Sequence, residues 1–414
     1  MKTASTATLD QRPAAAAADL SQPLAGRGRR LLLLSSGHFF IDLYSGALGA
    51  LQPLLLARFG LSLLQAGLLG GLLSFSSSVM QPLYGYLSDR LQYRVFTVLA
   101  PFIAGVFISS LGLASSYTGL LVLVFLGGVG IAAFHPQGTA HAAETYPYRR
   151  GLTMAIFITS GTIGLSLGPT YFSLMVGWLG LDRLYWAAVP GLLITLVLVM
   201  SLPAPSGAHR HEGPHFDLAP FRRVWKPMLV LYLLVLIRSI IQISFAQFLP
   251  LYLHLERGFP TDRASYLLTL FLFGGALGGF LGGNLADRFG ARRIVIFSML
   301  FSSPFLVLFL TTRGWISFVG LFVGGVIALF TIPVNVTMAQ DLVPKSQSGT
   351  VSALMMGFAW GMAGLIGIPL IGWVADHIGL GRAFWAVVLS PLAGVVLALQ
   401  LPKEHRRPHS SDAP

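Results

Sequence analysis

Two titratable residues stand four apart in the stretch S-S-G-H-F-F-I-D-L-Y-S-G: His38 and Asp42. At helical pitch that spacing puts them on one face, where an imidazole and a carboxylate can exchange a proton. Tyr44 follows closely but points elsewhere. His135 lies in A-F-H-P-Q-G, directly before a proline that distorts a helix. His141 and Glu144, three apart, share a face a little further on. Arg238 interrupts the run V-L-I-R-S-I-I-Q, which ends on Gln242. A guanidinium stays charged at any physiological pH, so in apolar surroundings it calls for an anion. Asn335, Gln340 and Asp341 fall together in a later apolar run. Ionisable groups inside such runs are costly and mark functional positions.

These residues sit in a chain with little charge elsewhere. Of its 414 residues, 54% are hydrophobic and 10% charged, against about 25% charged in an ordinary soluble domain. Apolar runs of about 20 residues, enough to cross a bilayer as helix, recur from Leu31 to Leu401. They are continuous rather than alternating, which favours helices over a barrel. The chain reads as an all-α polytopic membrane protein with twelve transmembrane helices, the first over about 31–56, the eleventh over about 348–374 and the last over about 382–401. Residues 1–30 read as a disordered tail with no cleavable signal, 203–225 as a linker and 402–414 as a second tail. There is no cysteine, so disulfides, thiolate chemistry and Fe–S clusters are excluded.

The chain repeats itself. Asp89 corresponds to Asp287, Pro53 to Pro250, Pro147 to Pro344, Gly161 to Gly361, and R-L-Y-W at Arg183–Trp186 to R-A-F-W at Arg382–Trp385, each at a spacing of roughly 200 residues. Residues 31–202 and 226–401 therefore form two pseudo-symmetric six-helix bundles, duplicated in parallel. The net charge of +12 suggests nucleic acid at first sight, but most of the 27 Lys and Arg fall in short loops and tails on one side. That is the signature of membrane orientation. It assigns both termini and the linker to the cytoplasm and excludes a nucleic-acid role.

Two polar hairpins carry a shared pattern, G-x-L-[SA]-D-R followed by basic residues: G-Y-L-S-D-R-L-Q-Y-R at Gly85–Arg94 and G-N-L-A-D-R-F-G-A-R-R at Gly283–Arg293. This resembles the signature loop of the major facilitator superfamily of membrane transporters, which occurs once in each half. The first copy lacks the later glycine (Gln92) but keeps Asp89, Arg90 and Arg94; the second also has Asp287, Arg288 and Arg292. The resemblance implies the fold of that superfamily and a conformational role for these six residues. Asp89 would meet the start of the eleventh span and Asp287 the start of the fifth, locking the cytoplasmic gate. Further stretches are more specific: S-G-H-F-F-I-D-L-Y-S-G-A-L-G-A-L-Q-P-L-L, then S-S-x-x-Q-P-L-Y-G-Y-L-S-D-R at Ser77–Arg90, and F-H-P-Q-G at Phe134–Gly138. They are similar to the fosmidomycin resistance family of bacterial drug exporters, taken to expel a small phosphonate anion by proton antiport. That similarity covers the N-terminal half best.

In the superfamily, spans one, four, seven and ten line the central cavity, and those spans hold the ionisable residues here. The repeat places Arg238 at nearly the depth of Asp42, so a pair between them across the cavity is expected. The resemblance thus implies a proton-coupled exporter of small anionic drugs or metabolites, working by alternating access in a bacterial inner membrane and conferring antibiotic resistance. The substrate contacts would be Arg238, His38, His135, Tyr44, Gln81, Gln242 and Asn335. The proton would be carried by Asp42, His38, His135 or Glu144. The alternatives are an importer or facilitator of an organic anion and an exporter of lipophilic or cationic drugs. The expected partners are a small anionic substrate, protons and the lipid bilayer, with the protein a monomer. No cofactor is expected. The linker H-R-H-E-G-P-H-F-D reads as a solvated loop, and His135 and His141 lie on different faces of one helix, so no metal site is expected either. No Ser-His-Asp set and no phosphate-binding glycine loop is present, so neither an enzyme nor an ATP-driven pump is expected.

Overall fold

A backbone in hydrocarbon must pair its polar groups within its own segment, and this chain does so with twelve apolar helices. The computed structural model describes residues 24–91, 95–146, 149–202 and 219–402. The spans are α1 (Gly26–Phe59), α2 (Leu63–Leu87), α3 (Val95–Leu113), α4 (Tyr117–Thr145), α5 (Gly151–Leu179), α6 (Leu181–Ser201), α7 (Trp225–Leu255), α8 (Thr261–Phe289), α9 (Ala291–Thr311), α10 (Gly314–Gln340), α11 (Ser348–Ile378) and α12 (Leu380–Leu399). They form two six-helix bundles, α1–α6 and α7–α12. Large apolar side chains such as Trp178, Leu193 and Trp315 point outward, where a lipid tail replaces water. Inside, Leu34, Ile41, Phe134, Phe157 and Phe172 pack the first bundle. Phe245, Phe248, Phe271, Phe309 and Phe384 pack the second.

The disordered tail expected over residues 1–30 ends too late. Helix already runs from Leu24. The basic turn is held by its neighbours: Arg29 donates to the Ser201 hydroxyl at 3.3 Å, and Arg30 pairs with Glu144 at 3.7 Å. Of the expected linker, residues 203–218 lie outside the described residues, and a short helix at Ala219–Arg223 leads into α7. Of the expected C-terminal tail, residues 403–414 lie outside them too.

Several spans are not uniform. The α1 helix stops at Ser45 and resumes at Ala47. At the junction, Gly46 lies so close to the Leu165 carbonyl that a β-carbon would stand 2.5 Å from it. Wider π turns occur at Phe75–Val79 in α2 and at Ala353–Phe358 and Ala363–Gly367 in α11. The end of α9 is capped from outside the helix: Arg257 donates to the carbonyls of Phe309 (2.9 Å) and Thr312 (3.0 Å), a cation placed on the negative end of the helix dipole.

The bundles are joined along the half remote from the Asp89 and Asp287 hairpins. There α1 meets α7, α2 meets α11 and α5 meets α8. Glycine makes the approach possible: a β-carbon on Gly49 would run into the Ala246 carbonyl, and one on Gly372 into the Leu63 carbonyl. Thr170 and Thr269 share a hydroxyl hydrogen bond of 2.8 Å between α5 and α8. Asp376, near the end of α11, accepts the backbone N–H groups of Leu63 and Leu64 at 2.8 Å each. Those groups belong to the first turn of α2, which has no donors' partners of its own within the helix and carries the positive end of its dipole. Ser62 and Gln65 complete the turn with a capping box.

Candidate functional site

His38 and Asp42 share one face of α1, with Nε2 and Oδ2 3.3 Å apart. From α4, His135 brings its own Nε2 to 3.5 Å from the other carboxylate oxygen. The Nδ1 of His38 lies 2.8 Å from the Phe157 carbonyl on α5. A carbonyl only accepts, so Nδ1 holds the hydrogen and Nε2 turns toward Asp42. The His38 ring is fixed as well. It stacks on Phe157 (4.2 Å between centroids) and Phe134 (5.9 Å), with His135 edge-on at 5.1 Å. Behind the cluster, α5 lies backbone to backbone on α1. A β-carbon at Gly161 would stand 2.5 Å from both Asp42 Oδ2 and His38 Nε2, and β-carbons at Gly164 and Gly168 would meet the Phe39 and Leu43 carbonyls. The side chain of His38 is 8% exposed, that of Asp42 17% and that of His135 23%. Three titratable groups thus converge on one small volume, where a proton or a cation can be held among them.

The expected pair of Asp42 with Arg238 is not formed; the carboxylate is taken by the two histidines. The repeat equates depth along two helices, but it does not make their side chains face one another. Arg238 is 5% exposed within the second bundle. One amino nitrogen donates to Gln242 at 2.9 Å, its carbon lies 5.4 Å from the Trp360 ring centre, and Nε has no partner. Among the described residues no carboxylate is paired with it. Asn335 on α10 is wholly buried, and neither end of its amide is hydrogen-bonded.

The other expected positions scatter. Tyr44 is corrected to a packing residue: its wholly buried hydroxyl donates to the Ala187 carbonyl (3.1 Å) and accepts from the Gly191 N–H (2.8 Å), inside the first bundle. Gln81 spends its amide nitrogen on the Ser77 carbonyl at 2.8 Å. Glu144 is not brought to the histidine cluster; it is exposed and faces Arg30. Of the hairpin residues, Asp287 and Arg288 are exposed, and Arg292 donates to the Leu399 carbonyl at 2.8 Å. Asp89 and Arg90 lie on helix without described side chains, and Arg94 lies outside the described residues.

Sequence reasoning missed Gly161, Trp360 and Asp376. Gly161 carries a sequence signal only as the repeat partner of Gly361, which says nothing of its place against Asp42 and His38. Trp360 leaves no signal in an apolar run. Asp376 had one: an acidic residue closing an apolar span, as Asp287 does.

Comparison with known proteins agrees with this architecture. The chain is 28% identical over 382 residues to the fosmidomycin resistance protein of Escherichia coli (strain K12), covering 90% of this chain and 93% of that one. It is 28% identical over 387 residues to the uncharacterized MFS-type transporter YfnC of Bacillus subtilis (strain 168), covering 91% and 93%. The bacterial homolog of the human lysosomal transporter Spinster, solved in an inward-facing and occupied conformation, superposes with a TM-score of 0.76 at 17% identity, over 92% of this chain and 97% of that one. The family profile of the Major Facilitator Superfamily matches residues 34–268 and 259–414. With two six-helix bundles and a signature hairpin in each half, the chain is a multi-pass membrane transporter belonging to the Major Facilitator Superfamily.

Proposed function

We propose that the protein is a proton-coupled exporter of small organic anions, working as a monomer in a bacterial inner membrane with both termini in the cytoplasm. One observation carries the reading: Arg238 is a buried, permanently charged group with no carboxylate partner among the described residues. Leaving such a charge unpaired in low dielectric is expensive, and an anionic substrate supplies the missing partner. The Trp360 face beside it suits the apolar part of an organic anion. The coupling proton is assigned to the separate cluster of His38, Asp42 and His135 in the other bundle. Resemblance to a protein named for resistance to fosmidomycin, a phosphonate, supports both the class of substrate and the direction.

The test is counterflow of radiolabelled phosphonates in proteoliposomes, with and without an imposed pH gradient. Arg238→Ala is expected to reduce counterflow at least about tenfold, the loss of one charged contact. Asp42→Asn is expected to keep counterflow but to lose acceleration by the gradient. Unchanged counterflow in Arg238→Ala, or faster uptake of lipophilic cations than of phosphonates, overturns the anion assignment. Gradient-driven flux that survives Asp42→Asn overturns the coupling assignment.

A further inference from the structure

We propose that His38, Asp42 and His135 form a binding site for a single divalent d-block cation of the Zn²⁺, Co²⁺ and Ni²⁺ kind. The proposal stands on the geometry of the cluster and is independent of the substrate that Arg238 meets and of the direction of transport. The donor set is two imidazole nitrogens and one carboxylate, all within 4.8 Å of one another. That combination selects borderline cations over the hard Mg²⁺ and Ca²⁺, which prefer oxygen alone.

The spacing points the same way. A charge-assisted hydrogen bond between an imidazole and a carboxylate draws its atoms to about 2.7–2.9 Å. Here the two separations are 3.3 and 3.5 Å. Donors placed tetrahedrally at about 2.1 Å from a metal stand roughly 3.4 Å apart. Each nitrogen therefore stands near that edge length from one oxygen of Asp42, His38 from Oδ2 and His135 from Oδ1, with one donor atom from each residue within 4.8 Å of the others.

The surroundings have the supporting features of a metal site. The Nδ1–H of His38 is anchored on the Phe157 carbonyl, which leaves Nε2 as the ligand and fixes the ring plane. Phe134 and Phe157 stack on that ring and hold it in place. Gly161 keeps the volume beside Asp42 and His38 free of any side chain. Asp42 and His135 are the more exposed members, so a cation enters from their side and its fourth position stays open to water or to an anion. The arrangement escapes a reading of the sequence because His135 finds its partners on another helix rather than along its own.

The test is calorimetric titration of the full-length protein in detergent, purified without a histidine tag, with ZnCl₂, CoCl₂ and MgCl₂ in turn. The expected result is one Zn²⁺ or Co²⁺ per chain, visible absorption bands of four-coordinate Co²⁺, and no uptake of Mg²⁺. His135→Ala and Gly161→Ala are each expected to weaken Zn²⁺ binding at least about tenfold, and His135→Ala to do so while the protein keeps its elution profile and melting temperature. Replacing the linker histidines His209, His211 and His215 by Ala should leave binding unchanged. Binding that persists in His135→Ala, that vanishes with the linker histidines, or that is equalled by Mg²⁺ overturns the site, as does the absence of Zn²⁺ and Co²⁺ binding. None of these outcomes bears on phosphonate counterflow, which tests the transport reading separately.

Discussion

A β-carbon is the smallest probe of the histidine cluster. Replacing glycine by alanine inside a helix ordinarily stabilises it by about 1 kcal/mol. Gly177, also on α5, has nothing within 4 Å of where a β-carbon would go. Gly177→Ala should therefore be neutral or slightly stabilising, with transport intact. Gly161→Ala should behave oppositely, because the new methyl meets Asp42 and His38 at 2.5 Å. Helix propensity predicts the same gain at both positions, so a loss of transport at 161 alone isolates the contact. Proteoliposome uptake and thermal unfolding of the two variants decide it; equal transport in both would show that the cluster tolerates displacement. At this scale the sequence is only half legible. The four-residue step from His38 to Asp42 is local, so helical pitch alone pairs them. The arrival of His135 depends on how α4 packs on α1, and the bond to the Phe157 carbonyl depends on α5. The Asp42–Arg238 pair is the counterexample, since symmetry in the sequence carries no information about which way a side chain turns.

The helices were the easiest elements to foresee, because lipid imposes a minimum length and forbids unpaired backbone. Breaks within them were not. The α1 junction at Gly46 and the π turns of α2 and α11 arise from contacts between helices: Gly361 lies against Val79, and Gly364 against Ser74. Asp376 was missed for a related reason, since an apolar span drawn to about residue 374 leaves its closing carboxylate in a loop. Yet it joins two helices from different bundles. It is exposed, so its grip on the first turn of α2 is put at about 1 kcal/mol, or roughly fivefold in the balance between closed and open ends. Asp376→Asn should release that much and Asp376→Ala more. The chain has no cysteine, so spin labels on Ala57→Cys and Arg263→Cys report the distance between bundles there without background. A longer-distance population that grows in the order wild type, Asn, Ala is expected. Identical distributions would make Asp376 a cap for α2 and nothing more.

For the molecule as a whole, the question is whether the two bundles move as bodies. Their close approach depends on glycines whose neighbours are backbone atoms, which cannot swing aside as a side chain can. A valine at Gly49 or at Gly372 would press on the carbonyl of Ala246 or of Leu63 in the opposite bundle. Each bundle keeps its own buried aromatic core, so the joint should yield before either bundle does. Opening at that joint then has a necessary consequence at the other end if the bundles rock about the middle of the membrane. The hairpin carrying Asp287 and Arg288, exposed in this structure, approaches the start of α5. Labels on Gly151→Cys and Arg288→Cys should therefore draw together in Gly49→Val while those on Ala57→Cys and Arg263→Cys separate. The opposite signs are what matter. A local defect at Gly49 would widen the nearby pair and leave the distant pair unchanged, and loss of structure would broaden both. Only two stiff bundles hinged near the depth of the histidine cluster convert a wedge at one end into closure at the other.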